Sequence, residues 1–307
     1  MSSDKKSFRC GKRQSNARAD GLSEVDIMKI GIENGSRYGE LAYKKFKEFG
    51  FDCIDFGLSH TESAFYSLPE AEIDALILKH KALADDAGIE ISQVHGPWRY
   101  PPMDSTPEER SERFKKMARS IRSTALLGCK YWVIHPIMPF GTHDIEKGKE
   151  EETWKLNLEF FRALLPIAKQ YGVIICLENM PMLNFSISKP VDILRLVEEI
   201  NDESFEICLD TGHVTVFKEL SIGEETRRFG KHLKVLHIHD NRMSLDMHLM
   251  PYLGKTDWED FIASLKDIGY DGVFSFETLP PANFPDHLFD KLCSSYADLA
   301  KWMVRDM

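Results

Sequence analysis

The sequence alternates short apolar segments with longer amphipathic segments eight times after residue 28, and this alternation restricts the possible folds most. The apolar segments have the length of β-strands and the amphipathic segments that of α-helices. Strands separated by helices run parallel, and eight such units in a chain of 307 residues match a closed (β/α)8 barrel of the α/β class. The predicted strands are Lys29–Glu33, Cys53–Leu58, Ile91–His95, Tyr131–His135, Ile174–Glu178, Phe205–Asp210, Val235–His239 and Val273–Glu277.

The barrel accounts for residues 28–307 as a single catalytic domain. Residues 1–27 carry many Ser, Lys, Arg and Asp residues without periodic apolar positions, so we interpret them as a flexible N-terminal tail. The whole chain is 43% hydrophobic and 29% charged. This composition suits a large buried core and excludes disordered, collagen-like and coiled-coil architectures.

Charge and cysteine content restrict the partners and the location of the protein. Lys+Arg 39 and Asp+Glu 49 give a net charge of −10, which disfavours nucleic acid as a partner because phosphate groups are repelled. No apolar run reaches the ~18 residues of a membrane span, and the N-terminus lacks the apolar stretch of a secretory signal. We therefore expect a cytoplasmic protein without a membrane partner. The six cysteines lie far apart, which indicates reduced thiols rather than disulfides.

Side chains alternate along each predicted strand, and the two sets differ in character. In the fifth strand Ile175 and Leu177 have one parity, whereas Cys176 and Glu178 have the other. The fourth, sixth, seventh and eighth strands repeat this pattern, so we expect the bulky apolar set to face the helices and the small or polar set to face inward. Six strands then end in an inward ionisable residue at the face where such barrels carry active sites. These residues are His95, His135, Glu178, Asp210, His239 and Glu277.

Two loop motifs extend this cluster of ionisable residues. Asp210-Thr-Gly-His213 leaves its strand through a tight turn, and Asp246-Met-His248 places two ligand types on one side of an extended loop. Burying so much charge costs several kcal/mol per group unless a cation or a polar network compensates. Imidazoles with carboxylates suit Zn²⁺, Mn²⁺, Fe²⁺ or Co²⁺ better than Ca²⁺ or Mg²⁺, so we predict a metal site. For His237 a hydrogen-bonded core role is the simpler interpretation.

Eight short motifs occur in order along the chain, and together they resemble the xylose isomerase-like TIM barrels. This superfamily contains sugar phosphate isomerases and epimerases, ketose 3-epimerases, inosose isomerases and dehydratases and, as a more distant branch, endonuclease IV. The resemblance covers about Met28 to Trp302. The motifs are VHGPW (Val94–Trp98), VIHP (Val133–Pro136), CLENMP (Cys176–Pro181), CLDTGH (Cys208–His213), HIHDN (His237–Asn241), DMH (Asp246–His248), GKTDW (Gly254–Trp258) and FSFET (Phe274–Thr278).

The epimerase branch of this superfamily implies one divalent metal ion, preferentially Mn²⁺, with Co²⁺, Zn²⁺, Fe²⁺ or Mg²⁺ as alternatives. Its ligands match Glu178, Asp210, His239 and Glu277. The residues that hold substrate oxygens in this branch match His213 and Arg242. Ketose 3-epimerases often carry a further Glu six residues after the first ligand; Asn184 stands there, which disfavours a free-ketose 3-epimerase.

The endonuclease IV branch implies three zinc ions bound by a larger ligand set. Its additional ligands match residues that are all present in this chain. They are His95, His135, His213, Asp246 and His248.

The leading hypothesis is a divalent-metal-dependent isomerase or epimerase of a sugar, sugar phosphate or keto-sugar, with a small carbohydrate as its substrate. Glu178 and Glu277 are expected to transfer a proton through a metal-stabilised enediolate. The other predicted substrate contacts are His95, His135, Trp98, Tyr252 and Trp258, the three aromatic residues as apolar walls.

Two alternatives use the same metal site. One is a dehydratase or lyase acting on a keto-sugar, keto-inositol or C-glycoside, and the other is an endonuclease IV-like zinc phosphodiesterase. The sequence does not determine the oligomeric state, and a homo-oligomer is compatible with it.

Overall fold

The computed structural model describes residues 28–58, 63–242 and 245–307, and it contains the predicted eight parallel strands. Hydrogen-bonded neighbours follow the order β7-β6-β5-β4-β3-β2-β1-β8, and every ladder is parallel. The predicted (β/α)8 TIM barrel is therefore confirmed. The strands are β1 (Ile30–Glu33), β2 (Cys53–Gly57), β3 (Glu90–His95), β4 (Tyr131–Ile134), β5 (Ile174–Glu178), β6 (Phe205–Asp210), β7 (Leu233–His237) and β8 (Phe274–Phe276).

The barrel closes between β7 and β8. Here the two strands meet in an isolated parallel bridge, Ile238 to Phe276, rather than in a ladder. The Ile238 N–H donates to the Ser275 carbonyl at 2.9 Å, and the Glu277 N–H donates to the Ile238 carbonyl at 3.1 Å. β7 starts and ends two residues earlier than predicted, because the chain beyond His237 leaves β6 and bonds to β8 instead.

Helices of the described residues surround the barrel and connect its strands. One of them, α6, is a single short turn that directly follows β6. The helices are α1 (Ala42–Phe49), α2 (Glu70–Ala87), α3 (Pro107–Leu126), α4 (Glu150–Tyr171), α5 (Pro190–Ile200), α6 (Thr211–Thr215), α7 (Ile222–Phe229), α8 (Trp258–Asp267) and α9 (Asp286–Val304). The predicted N-terminal tail, residues 1–27, lies outside the described residues.

The two faces of the strands carry the predicted kinds of side chain. Val133, Cys176, Cys208 and Val235 form a small buried cluster inside the barrel. The bulky side chains of opposite parity belong to the larger core between strands and helices, as Leu177 illustrates. These small side chains fill the interior of the barrel, and the polar residues at the strand ends converge above them at the C-terminal rim.

Five cysteines of the described residues are buried free thiols: Cys53, Cys129, Cys176, Cys208 and Cys293. Cys10 lies outside the described residues. Among the helices that the structure describes, none combines the length and the apolar character needed to cross a bilayer.

Candidate functional site

A cavity of about 360 Å³ opens between the C-terminal ends of the strands. Glu33, His95 and Glu178 reach it from the last residues of β1, β3 and β5. Most of the ionisable residues predicted for the site line it. The ionisable side chains in its wall are Glu33, His95, Arg99, His135, Glu178, His213, Asp246, His248 and Glu277.

Glu178 lies at the centre of the site and is 1% exposed. Its Oε2 lies 3.2 Å from His135 Nε2 and 3.5 Å from His95 Nε2. Among the described residues this oxygen has no hydrogen-bond partner. Its Oε1 lies 3.0 Å from His237 Nδ1, and the same nitrogen is 3.4 Å from Glu277 Oε2. The carboxylates that end β5 and follow β8 therefore face each other across one imidazole.

Asp210 and His239 form a second, fully buried pair, with His239 Nε2 2.9 Å from Asp210 Oδ2. Asp210 also caps α6, because its Oδ1 accepts the His213 N–H at 2.7 Å. This cap turns the chain back on itself, so that His213 Nδ1 lies 3.7 Å from both Asp210 and Glu178. A side chain at Gly212 would place Cβ 2.0 Å from the His239 ring, so only glycine permits this close approach.

Asp246 lies in the loop after β7 and contacts histidines at the C-terminal rim of the barrel. Its Oδ2 lies 3.3 Å from His213 Nε2 and 3.4 Å from His248 Nε2, and its Oδ1 lies 3.7 Å from His239 Nε2. The backbone of His248 has φ +47°, in the left-handed region, which costs a non-glycine residue about 1–2 kcal/mol. The Thr278 hydroxyl, which donates to the His248 carbonyl at 2.5 Å, helps to hold this conformation.

Three histidines of the site share one orientation. In each, Nδ1–H donates to a main-chain carbonyl at 2.7–2.8 Å, and Nε2 faces a carboxylate. A second hydrogen bond of this kind is the usual way in which metal-ligating histidines are oriented. The pairs of histidine and acceptor are His95 with Gly96, His213 with Asn179, and His248 with Glu277.

The two facing carboxyl groups have opposite pKa shifts. Burial alone would raise the pKa of Glu178, but the imidazoles of His237 and His135 outweigh burial and hold the pKa well below its usual range. Burial raises the pKa of Glu277 well above its usual range; His237 opposes this effect, and the Glu178 carboxylate adds to it. Two carboxyl groups of one site whose pKa values are shifted in opposite directions are typical of acid–base catalysis.

The pKa values of the imidazoles in the site are also shifted in opposite directions. Burial lowers the pKa of His135 to about 4, although the Glu178 carboxylate opposes it. Burial would also lower the pKa of His213, but the carboxylates of Asp210 and Asp246 raise it to about 10. Conversely, His213 and His248 overcome the effect of burial on Asp246 and hold its pKa well below its usual range. The site is thus a dense network of alternating charge.

The donor atoms fit a divalent transition metal ion. His95, His135 and Glu178 bring their ligand atoms within 4.8 Å of one another. Asp210, His213 and His239 do the same, as do His239, Asp246 and His248. Glu178 Oε2, which is buried without a hydrogen bond among the described residues, and the shared orientation of the histidines support this fit, because nitrogen and carboxylate ligands suit Mn²⁺, Fe²⁺, Co²⁺ and Zn²⁺.

Several predicted site residues lie elsewhere. Trp258 is 2% exposed and its indole N–H donates to Asp240 Oδ2 at 3.2 Å, which draws it under the loop after β7. Tyr252 packs against Trp258 on the surface. Neither lines the cavity whose walls we expected them to form, whereas Trp98 does.

The predicted site residue Arg242 and Asn184, which marks a departure from the epimerase pattern, also lie outside the cavity. The exposed Arg242 donates its Nε–H to the Leu253 carbonyl at 2.6 Å instead of facing the cavity. Asn184, which stands at the position of the extra epimerase Glu, donates to Glu146 at 2.8 Å. Neither residue is among those that line the cavity.

Other residues of the site were missed by the sequence analysis. Glu33 ends β1 with an inward carboxyl group, so the same rule that identified the other strand ends would have found it. Asp55 lies in the middle of β2, so the rule for strand ends does not find it, although it has the parity opposite to Ile54 and Phe56. Its Oδ2 lies 3.0 Å from His237 Nε2. His237 itself is the hydrogen-bonded core residue expected, but it connects both central carboxylates.

Comparisons with known proteins agree with the fold. Residues 43–292 match the family described as xylose isomerase-like TIM barrel. A crystal structure of D-psicose 3-epimerase in the presence of D-fructose superimposes with a TM-score of 0.72 at 18% sequence identity, covering 90% of this chain and 99% of that one. At this identity the likeness shows the fold alone.

Two curated relatives differ in their described activities. A mannonate dehydratase of Oceanobacillus iheyensis is 30% identical over 137 residues, which are 40% of this chain and 39% of that protein. A probable endonuclease 4 of Mycoplasmoides gallisepticum is 30% identical over 173 residues, 52% of this chain and 54% of that protein. The chain spans about two fifths to just over one half of the length of these relatives.

Proposed function

This chain belongs to the xylose isomerase-like TIM barrel family, and from that premise we propose that it is a divalent-metal-dependent isomerase or epimerase of a sugar or keto-sugar. One observation carries the proposal. Glu178 and Glu277 both line the cavity and approach the same nitrogen, His237 Nδ1, at 3.0 and 3.4 Å. Two carboxyl groups that line one cavity and approach one nitrogen suit the removal and return of a proton on one carbon.

Four residues would hold the metal ion: Glu178, Asp210, His239 and Glu277. The ion, for which we propose Mn²⁺, would act as a Lewis acid on a substrate carbonyl when bound. The side chains themselves would do the remaining work. Glu178 would accept a proton from the carbon beside the carbonyl, and Glu277 would return a proton to the neighbouring position or to the opposite face.

The rest of the cavity wall would orient the substrate. His213, His95 and His135 offer ring nitrogens to substrate oxygens, and the half-exposed Trp98 offers an apolar surface to C–H groups. Arg242 has no part in this proposal, because its side chain bonds outside the cavity.

Deuterium incorporation tests the proposal. Incubation of the Mn²⁺-loaded protein with ketoses, keto-acids and keto-inositols in D₂O should place deuterium on the carbon next to the carbonyl of a true substrate. Glu178→Gln and Glu277→Gln should each slow this exchange by about 10²–10⁴-fold, the loss typical of removing a general acid or base. Glu206→Gln, which alters a carboxylate bonded to His232 outside the cavity, is the matched control. If no compound exchanges, the proposal is wrong.

A zinc phosphodiesterase is the second candidate, and the group of His239, Asp246 and His248 favours it. These residues supply a third set of ligand atoms that a single-metal isomerase does not require. Metal analysis of protein purified without chelator separates the two: one equivalent of manganese or cobalt supports the isomerase, and nearly three of zinc with cleavage of abasic-site DNA supports the phosphodiesterase. Loss of water or of a glycone from a substrate that also exchanges deuterium would instead indicate the dehydratase or lyase.

A further inference from the structure

A second, smaller chamber of about 100 Å³ adjoins the main cavity on the side of β1 and β2. Four residues line both spaces: Glu33, His95, Trp98 and Glu277. The chamber is otherwise lined by residues of β2 and of the segments that follow β1 and β2, namely Asn34, Asp55, Gly57 and Leu58. It is therefore a side pocket of the reaction site, with room for a few non-hydrogen atoms rather than for a second sugar ring.

Asp55 lines the chamber, and one oxygen of its carboxylate is not used within the described residues. Asp55 is 3% exposed. Its Oδ2 accepts a hydrogen bond from Gln93 Nε2 at 2.8 Å and lies 3.0 Å from His237 Nε2. Its Oδ1 is buried and has no hydrogen-bond partner among the described residues. Because buried polar atoms nearly always have a partner, this oxygen is available to accept a hydrogen bond from a bound molecule.

The charge of the chamber restricts what that molecule can present. The carboxyl groups of Glu33, Asp55 and Glu277 line the chamber, whereas the described residues that line it include no lysine or arginine. Among these described residues a phosphate or carboxylate group would find no lysine or arginine to pair with. A hydroxyl group suits it, because the hydroxyl can donate to a carboxylate.

We propose that this chamber is a subsite for an unphosphorylated, hydroxyl-bearing end of the substrate. Asp55 Oδ1 accepts a hydrogen bond from one hydroxyl group, and the Glu33 carboxyl group, at the junction of the two spaces, binds a second hydroxyl on the neighbouring carbon. The reacting carbonyl then lies in the main cavity between Glu178 and Glu277. The identification of the ligand as a carbohydrate rests on the proposed function.

Binding of sugar alcohols tests the subsite without requiring catalysis. Titration calorimetry of the Mn²⁺-loaded protein with xylitol, sorbitol and sorbitol 6-phosphate should show binding of the neutral polyols and weaker binding of the phosphate. Asp55→Asn should weaken polyol binding about 10- to 100-fold. The amide oxygen of the variant would stay with the Gln93 donor and turn its NH₂ group toward the chamber, where it cannot accept a hydrogen bond.

Two further variants complete the test. Glu33→Gln, at a partly exposed position, should weaken polyol binding about 10-fold while preserving the fold, and it remains informative if Asp55→Asn does not fold. Glu206→Gln is the matched control and should retain the wild-type Kd. Wild-type affinity in both chamber variants, tighter binding of sorbitol 6-phosphate than of sorbitol, or the absence of polyol binding by the wild type would overturn the subsite.

Different experimental results would contradict the subsite and the proposed function. If polyols bind as expected but no carbonyl compound exchanges deuterium, the subsite stands and the isomerase proposal is wrong. If a substrate exchanges deuterium and both chamber variants keep its KM, the isomerase proposal stands and the subsite is wrong.

Discussion

The imidazole rings of His239 and His248 stack with their centroids 4.1 Å apart and their planes 9° from parallel. His239 lies two residues beyond the end of β7, whereas His248 lies in the loop that leads to α8, so the contact depends on the return of this loop to the barrel. The buried Asp240 carboxylate anchors the loop. It accepts hydrogen bonds from the main-chain N–H groups of Gly254, Lys255 and Thr256, the Thr256 hydroxyl and the Trp258 indole.

Asp240→Asn should lower the free energy of unfolding by about 3 kcal/mol, because the amide leaves some of these buried donors without an acceptor. Urea unfolding measures the loss, and hydrogen exchange should show faster exchange at residues 254–256. Asp257→Asn is the control, since Asp257 caps α8 and asparagine caps a helix about as well as aspartate. Equal stability of the two variants would contradict the anchoring role.

Gly212→Ala should weaken metal binding about 10-fold or more, because the new Cβ would lie 2.0 Å from His239 Cε1 and displace the ring. Isothermal titration with Mn²⁺ measures the affinity. Gly272→Ala is a matched control: its Cβ would lie 2.3 Å from the Tyr270 hydroxyl at the opposite end of the barrel. This control should lose stability but keep its metal affinity, and a similar loss of affinity in both variants would refute the local explanation.

His239→Ala should release the metal and leave the barrel folded. His232→Ala removes an imidazole bonded to Glu206 outside the cavity, and it should keep the wild-type metal content. Mass spectrometry of the metal content and circular dichroism check both expectations. Full metal occupancy in His239→Ala would remove this residue from the set of ligands.

Stability should fall as the pH drops below about 6.5, in part through His80. Burial beside Tyr43 and Phe56 lowers the pKa of His80, so the unfolded chain binds the proton more readily than the native protein. The contribution of His80 is therefore complete above the unfolded pKa and is lost as the pH falls toward the lower native value. Between pH 7.5 and 5.5, urea unfolding should show a smaller loss in His80→Asn than in the wild type; equal losses would assign the pH dependence to other groups.

Deletion of residues 1–27 should change the melting temperature by less than about 5 °C, since the segment lacks the apolar pattern needed to pack on the barrel. Differential scanning calorimetry of the truncated and full chains provides the comparison. A larger decrease would show that the segment contributes to the folded domain.

The strand ends were predictable from sequence because alternation along a strand fixes which side chains face inward, as for Glu178 and Asp210. The walls of the cavity were not. The family resemblance suggested Arg242, and aromatic character suggested Trp258. Hydrogen bonds to the Leu253 carbonyl and to Asp240 decide where these side chains lie. Such contacts depend on how a loop returns to the barrel, which periodicity does not describe.

The barrel closes between β7 and β8 through an isolated bridge, and we call this junction the seam. Local opening of the seam would change the site most directly. His239 and Glu277 each follow the bridging residues Ile238 and Phe276 by one position, so separation of the seam moves two site residues apart. A ligand that contacts both residues would resist that separation, and by linkage its binding free energy would add to the free energy of opening. Exchange of the Ile238 and Glu277 amide protons would then report occupancy of the site without any measurement of turnover.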